Sequence, residues 1–492
     1  MIKKELTKQQ EVELVSIEDL VPTDHILRRV HNNIDFSFVR DRMESLYSKN
    51  SGRPAIDPVV LFKMLFIGYM FGIRSERQLV KEIEVNVAYR WFLGLNLTDK
   101  VPNHSTISQN RRRRFDGTDV FRQMFEDVVL MGYQKNYIDG KALYTDSTHL
   151  KANANRKKFT RELVSENTRY YLEELDKAVE EDRKRHGKAP LPPSPDTMEA
   201  PQKEIKVSKT DPESGYMNRQ GKPHGFYYLD HRTTDGKCNL ITDVYITPAN
   251  ISDSLVYMDR LDYQIKRFAF KVEAVGLDAG YHTSAICHGL MERDIFGVIS
   301  YRKLGGVKGF LRKRYFEYDR EHNCYLCPEG HKLKYSTTGR TGFREYVSDP
   351  NVCKVCPRLL ECTKSKNHQK KVARHVWEEG YELCKANRKT ERGEYIRKRR
   401  SETIERSFAD AKQLHSYRYA RFRGRKRVET QGLMTAIVQN IKKMVYLAEK
   451  GADNDGRGKC GKYGVCSSIF SLLKLSLSVL SRKYPVNYVY QS

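Results

Sequence analysis

The sequence predicts an α/β protein in which a mixed-sheet core follows a helical domain and is interrupted by a cysteine-rich insertion. Three observations favour this organisation. Apolar residues recur at helical spacing near the N-terminus, short apolar strands alternate with helical segments after Lys141, and cysteines cluster further on among basic and turn-forming residues. The predicted boundaries are a helical domain at 1–125, a first part of the core at 138–299 with a charged helix and a proline-rich linker at 160–205, an insertion at 300–395, a second part of the core at 396–450, and a linker and tail at 451–492.

The N-terminal region is rich in helical patterns. One helix is predicted in PVVLFKMLFIGYMFG, and a second begins after Ser75, whose hydroxyl can cap it. In PNHSTISQNRRRRF, Ser105 or Thr106 can cap a third helix that carries four arginines, among them Arg111 and Arg112. A helix, a turn and an arginine-bearing helix are typical of a DNA-binding domain. The alternative is a helical bundle with a solvated basic face.

The core is predicted from the order of its elements. KALYTDSTHLKAN has the pattern of a strand and residues 160–187 that of a charged helix. Two further strands, GFYYLDHRTT and NLITDVYITPAN, flank a turn at Asp235 and Gly236. A helix near 253–268 leads to another strand in VEAVGLDAGY. This order of strands and helices indicates a mixed sheet.

The chain carries a formal net charge of +26, with 88 Lys and Arg against 62 Asp and Glu. Such an excess favours a polyanionic partner, because each neutralised phosphate releases a counterion. A basic protein that is simply soluble has the same balance. The N-terminal segment leads into no apolar run, and the apolar stretch at 469–480 is too short and too polar to span a bilayer. We therefore expect no signal peptide, no membrane span and a cytoplasmic location.

Two aspartates follow apolar strands. Asp146 lies in LYTDST and Asp278 in VGLDAGY. A carboxylate in a buried strand is costly unless it is paired or binds a cation. On neighbouring strands, and with a Glu from a packed helix, the two make an all-oxygen site for two Mg²⁺ or Mn²⁺ ions. The alternative is that each Asp begins a turn or caps a helix. The lesser candidates are Asp230 and Asp253, which also lie near strand ends, and His149, which closely follows Asp146.

The Glu is predicted in SETIERSFADAKQL, which has a helical pattern. Ile404, Phe408 and Ala411 form an apolar stripe that would face the sheet, and Glu405 borders this stripe. Glu402, three residues earlier, competes for the same role. Either Glu can instead form a surface pair with Lys or Arg. We favour Glu405.

Basic residues flank this helix. Arg400 is the last of four consecutive Arg and Lys residues before it, and Arg418, Arg421 and Arg423 follow it among aromatic residues. Arg and Lys interleaved with aromatic residues suit a phosphate backbone and stacked, unpaired bases. A solvated run of charge is the alternative.

Cysteines cluster in the insertion. Cys324 and Cys327 form one C-x2-C motif, and Cys353 and Cys356 form a second. Two such motifs suit a tetrahedral Zn²⁺ site, whose role would be structural because four thiolates leave no open position. Cys362 is the first substitute for any one of these ligands. The alternative is a set of reduced thiols without metal.

Several of these motifs resemble those of bacterial insertion-sequence transposases with a DDE catalytic domain. They are DSTHLKANA at Asp146, DAGYHT at Asp278, ETIERSFADAKQLHSYRYARFRG at Glu405, PNHSTIS, and the RP-x-x-D-P segment at Arg53 and Pro54. The similarity extends over roughly residues 15–450. It implies a ribonuclease-H-like core in which the three acidic residues bind the metal ions.

The helix that bears the Glu departs from the family in two respects. That helix usually carries a Tyr, an Arg, the Glu and a Lys at set spacings, and Glu405 and Lys412 match. The Arg position four before Glu405 is Ser401, with Arg400 one place away, and Tyr395 fits the spacing only when counted from Glu402.

The resemblance also implies a function. The expected activity is metal-dependent cleavage and strand transfer of mobile-element ends, with Lys412 and the arginines at DNA phosphate. The expected partners are double-stranded DNA, as terminal inverted repeats and target, and a second copy of the chain in a homodimer or larger synaptic complex. The alternatives are a transposase-derived DNA-binding protein without catalysis and a nuclease of the same fold.

Overall fold

The computed structural model describes residues 14–48, 55–165, 172–192, 202–218, 224–301 and 309–453. Residues 193–201 of the predicted proline-rich linker lie outside this part of the chain, and so does the predicted tail from residue 454 onward. Arg53 and Pro54 of the RP-x-x-D-P segment lie outside it too. Helices followed by mixed and antiparallel sheets make up the described chain, as an α/β protein requires.

Helices come first along the described chain: α1 (Ile17–Leu20), α2 (Ile26–Asn33), α3 (Ser37–Met43), α4 (Pro58–Met70), α5 (Glu76–Val85), α6 (Val87–Leu93), α7 (His104–Asn110) and α8 (Val120–Gln134). Most residues of α4 are buried, and a helix that is apolar on all sides belongs inside a bundle. The ring of Phe36 contacts those of Phe62, Phe66 and Phe92 in this bundle.

Two details of these helices differ from the sequence prediction. Ser75 caps α5 as expected, but Asn86 ends α5 and caps α6 through Tyr89, so the predicted second helix is two helices. Asn103, not Ser105 or Thr106, caps α7, because its side chain accepts a hydrogen bond from the backbone N–H of Ser105 at 2.9 Å.

The arginine-bearing segment and the domain boundary also differ. Arg111–Phe115 continue α7 as a single π-helical turn. The predicted boundary at 125 falls inside α8, which continues to Gln134 because Met124, Val128 and Val129 keep one face of it buried.

The next strands are β1 (Ala142–Lys151), β2 (Phe159–Ser165), β3 (Gln202–Ser208), β4 (Gly215–Met217), β5 (Gly225–Asp235), β6 (Ile241–Pro248), β7 (Ala274–Leu277) and β8 (Phe296–Ile299). The helices among them are α9 (Leu172–Arg185), α10 (Asp253–Phe268) and α11 (Ser284–Glu292). β1 is central in a mixed sheet, with β5 antiparallel on one side and β7 and β8 parallel on the other. β4 and β6 pair with different parts of β5.

The charged helix predicted at 160–187 begins as a strand. β2 pairs with β3 along its whole length, from Phe159 with Ser208 to Ser165 with Gln202. The partner strand lies some 40 residues away in sequence, so local patterns favour the helix instead. α9 covers only the later part of the predicted helix and packs Leu175 and Val179 against Trp377 of the insertion.

The insertion is a five-stranded antiparallel sheet: β9 (Glu317–Asp319), β10 (Cys324–Leu326), β11 (Lys332–Thr338), β12 (Phe343–Val347) and β13 (Lys371–His375), with α12 (Pro350–Lys354) and α13 (Leu359–Cys362) between the last two. α14 (Glu378–Asn387) returns to the core, where Gly380 lies so close to the backbone of Cys287 that a side chain would clash. Because α14 packs on the core, we place the end of the insertion before α14, earlier than its predicted end at residue 395.

The remaining helices are α15 (Glu391–Arg400), α16 (Arg406–Leu414) and α17 (Arg425–Asp453), and one π-helical turn at Ser401–Glu405 joins α15 to α16. The predicted stripe of Ile404, Phe408 and Ala411 is buried. Ile404 and Phe408 pack in a cluster with Tyr144 of β1. None of the helices in the described ranges is long and apolar enough to cross a membrane.

A buried ion pair fixes the sheet to these helices. Arg232 of β5 donates to Asp230 at 2.7 Å, and both side chains are fully buried. The same guanidinium donates to Ser407 of α16 and to Gln439 of α17, at 3.0 and 2.9 Å. Asp230, a lesser candidate from the sequence, therefore has a structural partner.

We predict that Arg232→Met lowers the free energy of unfolding by about 3–5 kcal/mol, because it leaves the carboxylate of Asp230 buried and uncompensated. Urea unfolding followed by circular dichroism measures the loss. Lys141→Ala is the control, since Lys141 pairs with Glu273 in solvent, where about 0–1 kcal/mol is expected. Equal losses in the two variants would contradict the structural role of Arg232.

Candidate active site

Asp146 and Asp278 are brought side by side by the register of β1 and β7. These parallel strands pair Thr145 with Leu277. Asp278 follows Leu277 with an extended backbone (φ −76°, ψ 166°), so it lies next in line beside Asp146. Side chains at matched positions of neighbouring strands point to the same face of a sheet. Both carboxylates therefore belong to the face that α15 and α16 cover.

Asp146 is mostly buried, with 20% of its side chain exposed. Burial raises its pKa to about 6, and the charges of Asp278 and Asp253 act in the same direction. The guanidinium of Arg400 at 2.6 Å and the backbone N–H of Ser147 at 2.8 Å oppose this rise. The carboxylates of Asp146, Asp278 and Asp253 thus outnumber the guanidinium of Arg400, which favours the binding of further cations.

The π-helical turn brings Glu405 to the same place. A π turn pairs residues five apart instead of four, and the guanidinium of Arg400 contacts Glu405 at 3.4 Å while it holds Asp146. The extra residue in the turn accounts for the displacement of Arg400 from the family spacing. Sequence patterns alone gave no indication of this turn.

Glu402 lies toward the opposite end of β1. It pairs with Arg399 at 3.2 Å. Arg399 also donates to the backbone oxygen of Gly236, and the N–H of Gly236 is bonded to Ala142 at the start of β1. Glu405, which shares Arg400 with Asp146, is thus the better placed of the two.

Lys412 reaches the same face of the sheet. Its ammonium donates to the hydroxyl of Thr148 at 2.5 Å, two residues beyond Asp146 on β1. Burial lowers the pKa of Lys412, and the nearby charge of Arg418 lowers it further. Lys412 and Arg400 thus place two positive groups beside Asp146.

A buried group on the other side of the sheet went unnoticed in the sequence. Tyr281 packs on Tyr257, and its buried hydroxyl has no hydrogen-bond partner among the described residues. Burial and the charges of Asp253 and Asp146 hold the pKa of Tyr281 well above its usual value. Asp253, a lesser candidate, lies 3.7 Å from His231. The DAGY motif is the only local pattern that could have indicated Tyr281.

His149, the third lesser candidate, belongs to the opposite face of β1 from Asp146, since the two are an odd number of residues apart. Its ring lies edge-on to that of Tyr227, with centroids 6.3 Å apart. This position separates it from the two aspartates and Glu405.

Two of the predicted DNA-contacting arginines are internal. Arg421 donates to the backbone oxygen of Ile73 at 3.1 Å and lies over the ring of Tyr69. Arg111 pairs with Glu76 and lies over the ring of Phe422. Each therefore joins the N-terminal helices to the segment after α16 and is not free to bind a phosphate.

The other predicted arginines differ in exposure. Arg112, Arg418 and Arg423 are exposed, and Arg423 donates to the backbone oxygen of Asn153 at 3.0 Å. Only 12% of the Arg400 side chain is exposed, because it lies between the carboxylates of Asp146 and Glu405.

No set of three or more His, Cys, Asp or Glu side chains in the described ranges is already arranged as a complete metal site. The guanidinium of Arg400 lies between Asp146 and Glu405. The donor set nevertheless fits Mg²⁺ or Mn²⁺, because it consists of carboxylate oxygens and already gathers positive charge.

Two family models match the chain. Residues 15–113 match a Transposase domain (DUF772), and residues 326–445 match a Transposase DDE domain. Both models describe transposase domains, so the chain is similar to transposases over these two ranges. No curated protein matches it. A DDE transposase cleaves DNA and transfers strands, and its catalytic domain has a ribonuclease-H-like core.

The two matches cover different parts of the chain. The first spans the helices from the N-terminus to the π turn after α7. The second begins in β10 and ends in α17, so the insertion sheet and the helix with Glu405 share one matched domain. Asp146 and Asp278 lie between the matches, and their assignment rests on register and burial.

Proposed function

We propose that this transposase cleaves the ends of a mobile element and joins them to target DNA with two divalent ions held by Asp146, Asp278 and Glu405. The register of β1 and β7 carries the proposal, because it sets two carboxylates side by side at the buried end of a sheet. Glu405 fits the same site, since one guanidinium contacts both Glu405 and Asp146.

The three carboxylates have separate tasks. Asp146 and Asp278 would hold the ions jointly, and Glu405 would complete the ligands of the second. When bound, two such ions supply activation of the attacking oxygen and stabilisation of the leaving one. The attacking group is water in cleavage and a 3′-hydroxyl in joining. Because the attacking oxygen belongs to water or to DNA and not to a side chain, the protein forms no covalent bond to DNA.

Arg400 and Lys412 are proposed to hold DNA phosphate beside the carboxylates. Arg400 now neutralises part of the charge of Asp146 and Glu405. With divalent ions in place that charge is compensated, and the guanidinium becomes free for a bidentate contact with phosphate oxygens. Lys412, anchored on Thr148, offers a second positive group on the same face.

A basic groove of about 1530 Å³ suits the path of the DNA. His282, four residues after Asp278, lines it from the core and stacks on Tyr381 with ring centroids 4.1 Å apart. Aromatic faces of this kind suit unpaired bases. Its basic lining residues are Arg312, Lys313, Arg314, Lys364, Lys370, Lys371, Lys385 and Lys389. With exposed Arg112, Arg418 and Arg423, they provide contacts for the phosphate backbone.

The DNA partners proposed are the terminal inverted repeats of the element and a target duplex. Because two ends are joined in one event, we propose that the transposase acts as a homodimer or a larger synaptic complex. Joined products, and not cut products alone, distinguish this function from that of a nuclease with the same fold.

We predict that Asp146→Asn, Asp278→Asn and Glu405→Gln each reduce strand cleavage by about 10³-fold or more and leave DNA-end binding nearly unchanged. Each change removes one negative ligand and keeps the shape of the side chain, and the loss of several kcal/mol of charge stabilisation corresponds to such a factor. Cleavage of a labelled element end in Mg²⁺, with a gel-shift measurement beside it, tests the prediction.

Glu402→Gln is the matched control for Glu405→Gln, since it removes the same charge three residues earlier on the same helix. We expect it to retain activity. An inactive Glu402→Gln together with an active Glu405→Gln would show that the Glu is wrongly assigned.

We predict that the affinity for a DNA end falls about 10³-fold between 50 and 200 mM salt, as about six phosphate contacts require. Arg418→Ala combined with Arg423→Ala should lower the slope of log affinity against log salt by about two. Fluorescence anisotropy with a labelled DNA end measures both.

Lys141→Ala is the control for the salt experiment, because it removes an exposed charge at the start of β1, away from Asp146. Its salt dependence should equal that of the unmodified transposase. An affinity that does not change with salt would contradict the proposed phosphate contacts.

A further inference from the structure

Four thiols of the insertion surround a single cavity of about 220 Å³. They belong to Cys327, Cys353, Cys356 and Cys362. The proposed cleavage and joining use none of them.

Cys327 lies in a tight turn directly after β10. Its N–H donates to the oxygen of His331 at 2.9 Å, and its own oxygen accepts from the N–H of Gly330 at 2.8 Å. Gly330 has a φ of +79°, which other residues rarely adopt. This turn holds the thiol of Cys327 at the edge of the cavity.

The other three thiols come from two short helices on the opposite side. Cys353 lies in α12, Cys356 follows it in a turn closed by a 3.1 Å backbone hydrogen bond between the two, and Cys362 ends α13. The hydroxyl of Ser348 lies 3.2 Å from the sulfur of Cys353. These elements have four or five residues each, too few to be stable without tertiary contacts.

Cys324 lies apart from this group. It is in β10 next to Tyr325, and neighbouring positions in a strand face opposite sides of the sheet. Tyr325 and Cys327 share the side that holds the small core of the insertion. Cys324 is buried on the other side and is not among the residues that line the cavity. The first C-x2-C motif thus supplies one thiol to the cavity.

We propose that Cys327, Cys353, Cys356 and Cys362 bind one structural Zn²⁺. Each thiol loses its proton on binding, and four thiolates complete a tetrahedral site without an open position. The Lys370 ammonium donates to the backbone oxygen of Cys362 at 2.7 Å and offsets part of the negative charge of such a site. No group of three or more His, Cys, Asp or Glu side chains in the described ranges is placed to hold a metal ion as it stands, so the proposal requires these thiols to move closer together on binding.

The insertion needs such a link because its own core is small. Five buried side chains form it: Phe316, Tyr325, Leu333, Tyr346 and Val372. Domains with little apolar burial are commonly stabilised by a metal. A zinc ion would join the end of β10 to α12 and α13, and so add to the hydrogen bond of Lys370 to Cys362 and the ion pair of Arg358 with Glu329.

The site also supports one wall of the basic groove. Leu311, Phe316, Cys362, Thr363 and Lys370 line both the thiol cavity and the groove. Loss of zinc is therefore expected to weaken DNA binding as well. This consequence rests on the proposed function, whereas the predicted zinc content of the protein does not depend on it.

The test is the zinc content of the full-length transposase, purified under reducing conditions and analysed by plasma mass spectrometry. We expect about one zinc per chain. Cys356→Ser and Cys362→Ser should each lower this to less than a tenth, and Cys324→Ser, the matched control, should leave it unchanged. Zinc lost in Cys324→Ser and retained in Cys362→Ser would overturn the proposed ligand set.

A second measurement uses the unmodified protein, so that it tests the site even if the variants do not fold. The unmodified transposase is treated with a chelator, and its reactive thiols are counted by Ellman's reagent before and after zinc is restored. Four thiols should become protected per zinc bound, and Co²⁺ in place of Zn²⁺ should give thiolate charge-transfer absorption. A chain that binds no stoichiometric zinc, or binds it without protecting thiols, would refute the site.

Discussion

The balance of charge around Asp146 determines how the rest of the site is arranged. This mostly buried carboxylate lies in the middle of the central strand, beside Asp278, and one guanidinium compensates it. A buried carboxylate pair is costly without cations. The helix that carries Glu405 supplies one in Arg400, and Lys412 supplies a second positive group nearby. The divalent ions proposed for catalysis would compensate the charge of the two aspartates more fully.

The arginines that the sequence assigned to DNA fall into two groups with different physical roles. Arg421 and Arg111 join the N-terminal helices to the segment after α16 through backbone and aromatic contacts. His415 and Ser416 add hydrogen bonds to Tyr69 and Gly72. The helix with Glu405 is thereby attached to the N-terminal helices.

Local patterns were sufficient for the strands that bear Asp146 and Asp278, because apolar runs and turn residues define such strands without knowledge of their partners. The stripe of Ile404 and Phe408 identified the buried face of the Glu helix for the same reason. β2 escaped prediction because its partner is β3, far along the chain. The π turn escaped it because one extra residue in a helix leaves no pattern in side-chain type.

The direction of side chains set a second limit. Cys324 and Cys327 form one C-x2-C motif, but their thiols lie on opposite faces of the sheet. The face that each thiol takes depends on whether its residue lies in a strand or in a turn, and the spacing of the motif does not specify this. Arg421 looks like its neighbours Arg418 and Arg423 in sequence, and only the packing of Tyr69 and Ile73 against it explains its burial. Spacing identifies candidates, and tertiary packing selects among them.

The most direct test of the central claim is a crystal structure of the transposase with Mn²⁺ and a DNA end, in which anomalous scattering locates the ions. We predict two Mn²⁺ about 4 Å apart, shared by Asp146 and Asp278, one of them bound also by Glu405, with Arg400 moved from Asp146 to a phosphate. Mn²⁺ bound by Glu402, or ions bound without Asp146 and Asp278, would contradict the proposed active site.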